Sequence, residues 1–461
     1  MDLIFLNRFF YPDHSATSQL LTDLAIHLAT RGHRVRVVAS RQAYVDAMAR
    51  LPAKETVRGI KVYRVWSTCF GRVGLAGRAI DYLTFSLSAG WRLRRLARNG
   101  ELVVVMTDPP LASVLAQWAL AGRRTRRVNW LQDLFPEVAE ALAVRGLSGR
   151  IGRWARHARD RSLCGAVVNV AIGERMAERV RAAGVSGRRV RVIHNWADAE
   201  AIRPLARQAN RLRCDWGLED AFVVGYSGNL GRAHTYTALL QAAQLLDGLG
   251  TVDEVAAQGS TVTDPVSGND VPVDGRGPSA PGAAATAGAA LVRPVVFLVI
   301  GGGLLWRTLR AEVARLGLRN VRFVPYQERA ALHLSLGVAD VHWISLRPTL
   351  EGLVVPSKFY GVAAAGRPVL FVGDADGEIA RLLAAHDCGL AVAEGDGAGF
   401  AAAVRRWRDD AAFWERQGAN ARRLLEDRFA QERALAQWEH LLGEVAAPPR
   451  SRPWPLGTLS G

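Results

Sequence analysis

Two short stretches of this chain combine residue types able to hold a phosphorylated ligand. Gly228-Asn229-Leu230-Gly231-Arg232 follows an apolar run, Phe222–Tyr226, and precedes a helical pattern that includes Tyr236–Leu249. Glycines there let the backbone approach a ligand, a helix N-terminus offers unpaired N–H groups, and Arg232 adds a bidentate cation. The second stretch is Glu351-Gly352-Leu353-Val354-Val355-Pro356-Ser357-Lys358-Phe359-Tyr360-Gly361. It sets an acid and a flexible turn ahead of Pro-Ser-Lys at a helix start, where an ammonium can serve phosphate oxygens. Plain structural readings stand beside both: a tight βα turn, Ser357 as an N-cap and Glu351 as a solvated loop acid. Gly301-Gly302-Gly303 follows another strand, and fits close approach to a ligand or close helix–sheet packing equally well. None of these is a Walker loop or a G-x-G-x-x-G fingerprint, which argues against an ATPase or a dehydrogenase.

The elements that must position these residues alternate along the whole chain. Leu3–Leu6, Val35–Ala39, Leu102–Met106, Val128–Leu131, Val167–Val170 and Val190–Ile193 read as strands. Ser18–Arg31 reads as a helix with Leu20, Leu21, Leu24 and Leu28 on one face, and a further helix lies near Glu174–Ala183. The grammar restarts with Phe222–Tyr226, Val295–Ile300, Val321–Val324, Val341–Ile344 and Val369–Val372, with a helix at Leu304–Leu316. Such alternation implies parallel sheets covered by helices on both faces. The fold class is therefore α/β, with two doubly wound Rossmann-like domains facing a cleft at the carboxyl ends of their strands. The first spans 1–195 and the second 196–446, and the final helix is free to pack back on the first. Residues 250–293 lack aromatics and are rich in Gly, Ala, Pro, Ser, Thr and Asp, which predicts a disordered insertion in the second domain. A flexible tail is expected at 447–461.

The chain has 461 residues, 49% hydrophobic and 22% charged, which excludes a disordered or collagen-like protein. Its four cysteines, Cys69, Cys164, Cys214 and Cys388, are too far apart for a disulfide framework or a zinc ribbon, so a reduced cytoplasmic protein is expected. No apolar run is long enough to span a membrane. Net charge is +16, and it is concentrated: residues 1–213 hold 36 basic and 16 acidic side chains, whereas the rest hold 23 and 27. A basic half calls for an anionic partner. Of the 59 basic residues only Lys54, Lys61 and Lys358 are lysines, so a lysine kept where arginine is the default stands out.

With these residues in view, the chain resembles retaining glycosyltransferases of the GT-B architecture, family 4, of the kind that build bacterial exopolysaccharides, O-antigens and colanic acid. The resemblance is carried by Phe10–Thr17, Gln132-Asp133-Leu134-Phe135-Pro136-Glu137, Ile193–Asp198, Tyr226–His234 and Glu351–Pro368. It implies that Arg232 and Lys358 neutralise the diphosphate of a nucleotide-diphosphate sugar, with no obligatory metal or other cofactor. It places Glu351 near the donor sugar, with Gly352 and Leu353 supplying backbone N–H groups, and Gly228, Asn229, Gly231 and Ser357 around the donor. The backbone near Val324 and Tyr326 would meet the base. A loop containing His14, Ser15 and Thr17 would close on the acceptor side, and Asp133 would orient the acceptor hydroxyl or the sugar. One departure is Gly361, where many relatives carry a second glutamate that contacts the ribose, and no residue is assigned to that task. Two rivals use the same fold: a nucleotide-sugar 2-epimerase-like isomerase and a non-catalytic basic membrane-associated adaptor.

The basic half has its own pattern. Ala79–Arg98 sets Ile80, Tyr82, Leu83, Phe85, Leu87 and Trp91 beside Arg92, Arg94, Arg95 and Arg98; Arg145–Arg161 repeats the theme with Ile151 and Trp154. An apolar face with an arginine flank fits a helix lying on anionic lipid, or a packing helix with a solvated edge. The expected partners are thus a nucleotide-diphosphate sugar, a lipid-linked saccharide acceptor and an anionic membrane surface on the inner face of the cytoplasmic membrane. Nucleic acid is not among them, because no nucleic-acid module or stacking platform is present.

Overall fold

The computed structural model describes residues 1–43, 50–71, 74–144, 149–247 and 293–447. Apart from Arg293, the expected insertion lies outside the described residues, as do Arg145 and the tail beyond Ala447. The chain forms two α/β domains. In the first, eight strands make one sheet: β1 (Asp2–Leu6), β2 (Arg34–Ser40), β3 (Lys54–Val57), β4 (Ile60–Val65), β5 (Leu102–Met106), β6 (Arg126–Leu131), β7 (Val168–Ala171) and β8 (Val190–Val192). Their order is β3-β4-β2-β1-β5-β6-β7-β8, and all neighbours are parallel except the β3–β4 hairpin. The second sheet holds β9 (Phe222–Asn229), β10 (Val295–Gly302), β11 (Val321–Val324), β12 (Val341–Ser345), β13 (Val369–Val372) and β14 (Gly389–Val392), in the order β11-β10-β9-β12-β13-β14.

Strands buried on both faces need continuous apolar runs, and Leu102-Val103-Val104-Val105-Met106 is buried at every position. Strand order reverses direction at β1 in the first sheet and at β9 in the second. Crevices for ligands open beyond the carboxyl ends of strands at such points. Arg8 and Asp108 occupy the crevice between β1 and β5, where the Arg8 N–H donates to the Asp108 carbonyl at 2.8 Å. Gly228 and Asn229 end β9 and face the other.

Element ends differ from the sequence reading where they matter most. β9 runs through Asn229, and the helix that follows begins only at Thr237. Gly228–Arg232 is therefore the end of a strand and the start of a loop, and its glycines do not open a helix. β10 likewise extends through Gly302, because it pairs residue for residue with β9 up to Gly302 opposite Asn229. On the acceptor side the first helix begins at Ala16, which puts Thr17 in its first turn and leaves only His14 and Ser15 in the loop.

The chain crosses between the domains twice, and the crossings are bonded to each other. The Ala197 N–H donates to the Phe429 carbonyl at 3.3 Å, and the Gln431 N–H donates to the Ala197 carbonyl at 3.1 Å. After the second crossing, helix Gln431–Ala446 returns to the first domain. Its Trp438 is fully buried, with its ring 4.6 Å from Trp130 of β6. The C-terminal helix thus packs on a strand at least 300 residues earlier in the sequence (Arg126–Leu131 against Gln431–Ala446). Among the described residues, no helix is long and apolar enough to cross a membrane. Trp438→Ala removes a buried indole from this contact and is expected to cost about 3–5 kcal/mol. Denaturant unfolding followed by circular dichroism checks it, and an unchanged midpoint would show that the helix adds nothing to the first domain.

Candidate active site

Lys358 is the first residue of helix Lys358–Ala364, and its side chain turns inward beneath the end of β9. A Cβ added at Gly228 would come within 2.9 Å of the Lys358 Cε, and Gly228 also holds φ at +124°. Only glycine satisfies both the space and the backbone. The Lys358 Nζ lies 3.1 Å from the His234 Nε2 and 5.1 Å from the centre of the Tyr226 ring. The His234 Nδ1 is 2.6 Å from the Ser345 carbonyl, which can only accept, so Nδ1 carries the proton and Nε2 accepts from the ammonium. Burial and the neighbouring ammonium push the His234 pKa down to about 3, which keeps the ring neutral. Burial lowers Lys358 itself to about 8. It has no carboxylate partner: among the described residues neither Lys358 nor Arg232 forms an ion pair. A cation drawn in from water without a counter-ion is costly, and an anionic ligand supplies what is missing.

Arg232 sits farther out. Its exposed guanidinium donates to the Leu142 carbonyl of the first domain at 2.7 Å, so it spans the cleft. Around β9 and β10 the backbone is tightly stacked. Cβ atoms added at Gly301 and Gly303 would fall 2.3 Å from the Gly228 carbonyl oxygen and 2.2 Å from the Asn229 Oδ1. Close backbone approach between the two strand ends accounts for the triple glycine. Tyr326, beyond Val324 at the end of β11, is exposed and closes over Gly302, where an added Cβ would meet its ring at 3.0 Å. Gly231 stays in the loop beside Asn229, and Ser357 precedes Lys358 without making a side-chain cap.

Glu351 lies elsewhere than the sequence suggests. It is buried rather than solvated, and its carboxylate turns to the start of helix Glu378–His386, accepting the Glu378 N–H at 2.8 Å. Burial, the largest effect, raises its pKa, while the Glu378 and Gly352 N–H groups hold it down. The Leu353 N–H donates to the Leu350 carbonyl at 2.9 Å. Glu351, Gly352 and Leu353 together build the turn that precedes Lys358. Gly352 has φ +72°, and an added Cβ there would sit 2.7 Å from the Arg179 Nε. Arg179 comes from the first domain and donates to the Glu351 carbonyl at 2.7 Å.

Across the cleft, that turn meets the other candidate. The Leu134 N–H donates to the Leu353 carbonyl at 3.0 Å, and Asp133 pairs with Val354 as an antiparallel bridge. Asp133 follows β6, and its Oδ1 is buried with no hydrogen-bond partner among the described residues. Burial lifts its pKa to about 6, against the pull of the Thr107 hydroxyl. The neighbouring Asp108 rises to about 7, again through burial, with Asp133 and Asp13 adding repulsion and the Arg8 guanidinium opposing it. Arg8 is clamped between Phe9 and Tyr82, 5.0 Å from each ring centre. Two carboxyls that titrate near neutrality suit the binding and orientation of hydroxyl groups. His14 and Ser15 are held locally: the Asp13 carboxylate accepts the Ser15 N–H at 2.8 Å, and the Gln19 amide donates to the His14 carbonyl at 2.6 Å.

The sequence assigns no role to Asp108, Arg8 or Glu378 and none to His234 individually, and it sets Tyr82 and Phe85 on an outward apolar face, whereas Tyr82 packs on Arg8 and Phe85 is buried against the sheet. His234 and Asp108 do carry a local signal, since each follows the carboxyl end of a strand at a topological switch point. Arg8, Tyr82 and Glu378 acquire their partners only through long-range packing.

Comparison with known proteins agrees with this geometry. Residues 17–196 match the family model described as a glycosyl transferase 4-like domain. The chain is 24% identical over 386 residues to the putative colanic acid biosynthesis glycosyl transferase WcaI of Escherichia coli (strain K12), covering 80% of this chain and 83% of that protein. Among solved structures, sucrose-phosphate synthase from Thermosynechococcus elongatus aligns with a TM-score of 0.71 at 15% identity, covering 96% of this chain and 98% of the other. Anabaena HepE in complex with UDP-glucose aligns with a TM-score of 0.63 at 16% identity, covering 96% and 100%. WaaG, a glycosyltransferase involved in lipopolysaccharide biosynthesis, aligns with a TM-score of 0.60 at 15% identity, covering 94% and 99%. Two largely parallel sheets facing one cleft, together with these similarities, give the chain the GT-B architecture, with a glycosyl transferase 4-like domain over residues 17–196.

Proposed function

We propose that the protein transfers a sugar from a nucleotide-diphosphate donor to a saccharide or lipid-linked saccharide acceptor, with retention of anomeric configuration, in the synthesis of a bacterial cell-surface polysaccharide. The observation that carries this reading is the inward-turned Lys358 ammonium, which has His234 beside it and no carboxylate. A diphosphate is the ligand whose charge and size suit that place, and Arg232 at the cleft rim supplies a second cation. Support for a nucleotide sugar comes from the structural neighbour bound to UDP-glucose, and support for a polysaccharide product from the colanic acid relative.

In this reading the bond between the sugar C1 and the diphosphate oxygen breaks as the acceptor oxygen bonds to C1 on the same face. The acceptor proton passes to the leaving diphosphate oxygen, so no protein nucleophile is needed. Lys358 and Arg232 stabilise the charge that develops on the leaving group, an effect that grows in a site closed to water. The two cations do this without an obligatory metal. Asp133, with Asp108 beside it, orients the acceptor hydroxyl. Glu351 acts at one remove, by holding the turn that meets Asp133. Tyr326 and the backbone at Val324 lie where the base would stack.

Two measurements test the reading. Arg232→Ala and Lys358→Ala are each expected to lower turnover by two or more orders of magnitude, roughly the loss on removing a group that stabilises developing charge. Their melting temperatures are expected to stay near that of the parent, and near-normal turnover in folded variants sinks the assignment. The second measurement is the pH dependence of nucleoside diphosphate binding. Lys358 is held at about 8 instead of its ordinary 10.5, so the free protein loses the ammonium as pH rises through about 8. Affinity is then expected to fall above that pH by up to about tenfold per unit, with uptake of one proton on binding. Calorimetry in buffers of different ionisation enthalpy reads the proton, and Lys358→Met abolishes the dependence. The stability of the free protein moves the opposite way, rising between about 8 and 10.5, because there the unfolded chain binds the proton more tightly.

A further inference from the structure

Three helices lie side by side on one face of the first sheet: Leu75–Leu96, then Ala112–Ala119, then Arg150–Cys164. Phe85, Ala89 and Leu93 of the first and Ala112 and Ala116 of the second pack onto Ile4, Val103 and Val105 of the sheet. Arg127 of β6 ties the second helix to the third by donating to the Ser113 carbonyl at 3.2 Å and the Ser162 carbonyl at 2.5 Å. Two basic segments that are far apart in sequence thus become parts of one surface, with a short helix between them.

The outer side of this layer is apolar where water would be expected. Ile80, Leu83, Leu87 and Trp91 recur at helical spacing and are 45–64% exposed. Trp118, on the middle helix, is 61% exposed. Ile151 and Trp154 continue the row on the third helix at 61% and 58%. Exposed large apolar side chains gathered on three adjacent helices mark an interaction surface. In the second domain the large exposed apolar residues are Leu245, Leu304 and Tyr326, each on a different segment.

Charge decides the occupant. Among the described residues the three helices present no free carboxylate. Asp81 is buried and accepts from the Thr68 hydroxyl and the Phe70 N–H, and Asp160 pairs with Arg159. Some arginines are spent within the fold: Arg94 donates to the Ala119 and Ala121 carbonyls, and Arg156 pairs with Glu140. Arg95, Arg123, Arg124, Arg150, Arg153 and Arg161 are exposed and form no ion pair among the described residues. A nucleic acid would use the arginines and leave Leu83 and Leu87 in water. A bilayer with anionic headgroups uses both at once. Leucine and isoleucine enter the acyl boundary, tryptophan settles at headgroup depth, and arginine reaches the phosphates.

We propose that this three-helix face docks the first domain on an anionic lipid bilayer. The middle and third of these helices wall the small cavity beside Asp133, which is lined by Ser113 of the one and Arg159 of the other as well as Thr107 and Leu111. A lipid-linked acceptor could keep its lipid in the bilayer and deliver its saccharide at Asp133. That purpose rests on the proposed transfer reaction, whereas the docking itself does not.

Vesicle flotation of the full chain without any donor tests the docking alone. Vesicles of phosphatidylcholine mixed with phosphatidylglycerol are expected to carry the protein, and phosphatidylcholine alone is not. Added salt is expected to weaken the binding by screening the arginine contribution. The double variant Leu83→Glu, Leu87→Glu and the double variant Arg150→Glu, Arg153→Glu should each weaken binding by roughly tenfold or more. Leu245→Glu, on the second domain, should leave it unchanged, and all three proteins should keep the parent melting temperature and nucleoside diphosphate affinity. Absence of vesicle binding, equal binding to both vesicle types, or variants that bind like the parent would overturn the proposal. So would self-association in lipid-free solution that the same variants abolish, since the face would then belong to a second copy of the chain.

Discussion

The constraint on which the site depends is a lysine ammonium held away from water with nothing of opposite charge beside it. Such a group destabilises the free protein unless its surroundings share the charge, and here they do so only in part. The Ser345 carbonyl fixes the His234 tautomer so that a ring nitrogen, not an N–H, faces Lys358. The face of Tyr226 adds its π-electron density. Gly228 leaves the space into which the lysine stem folds. What these neutral groups cannot supply is a counter-ion, and that deficit gives the crevice its preference for a phosphate-bearing ligand.

The relation between the domains is governed by carboxylates at helix starts. Glu351 accepts the first free N–H of helix Glu378–His386, and the Glu378 carboxylate in turn accepts the Glu174 and Arg175 N–H groups, at 3.1 and 2.9 Å, where a helix of the first domain begins. Each carboxylate lies at the positive end of a helix dipole, so the two form a relay across the cleft. Arg175 pairing with Asp376, and Arg179 donating to the Glu351 carbonyl, close the same seam. The turn that meets Asp133 is therefore positioned by the domain interface itself. Opening the cleft would expose helix ends as well as apolar surface.

Charge divides by task between the halves of the protein. The crevice of the second domain uses very few cations, and the second half carries a slight acidic excess. In the first domain many arginines are internal fasteners. Arg127 holds helix carbonyls, and Arg36 pairs with Glu101 at 2.7 Å with both side chains largely buried. Others, such as Arg95, Arg150 and Arg153, are exposed on the helices that carry exposed tryptophan, leucine and isoleucine. A net charge of +16 is thus the sum of structural, site and surface contributions that the total alone does not separate.

Local physics made much of this protein legible in its sequence. Runs such as Leu102–Met106 and Val369–Val372 can only be satisfied as strands buried on both faces, and Leu304–Leu316 shows its helix by periodicity, so the two doubly wound sheets followed from patterning. Glycines at a strand end and the one lysine in the second half of an arginine-rich chain pointed to Gly228 and Lys358 for reasons that need no neighbour. Glu351 shows where that reasoning stops. Its type and spacing suit a ligand, but its carboxylate is taken by an N–H of a helix 27 residues farther on. The tautomer of His234, the pairing of Asp133 with Val354 and the single face made by three separate helices were likewise decided by tertiary structure. The reason is that a side chain's periodicity and conformational preference are properties of its own segment. Its protonation, its hydrogen-bond partner and its exposure are set by whatever the fold brings against it.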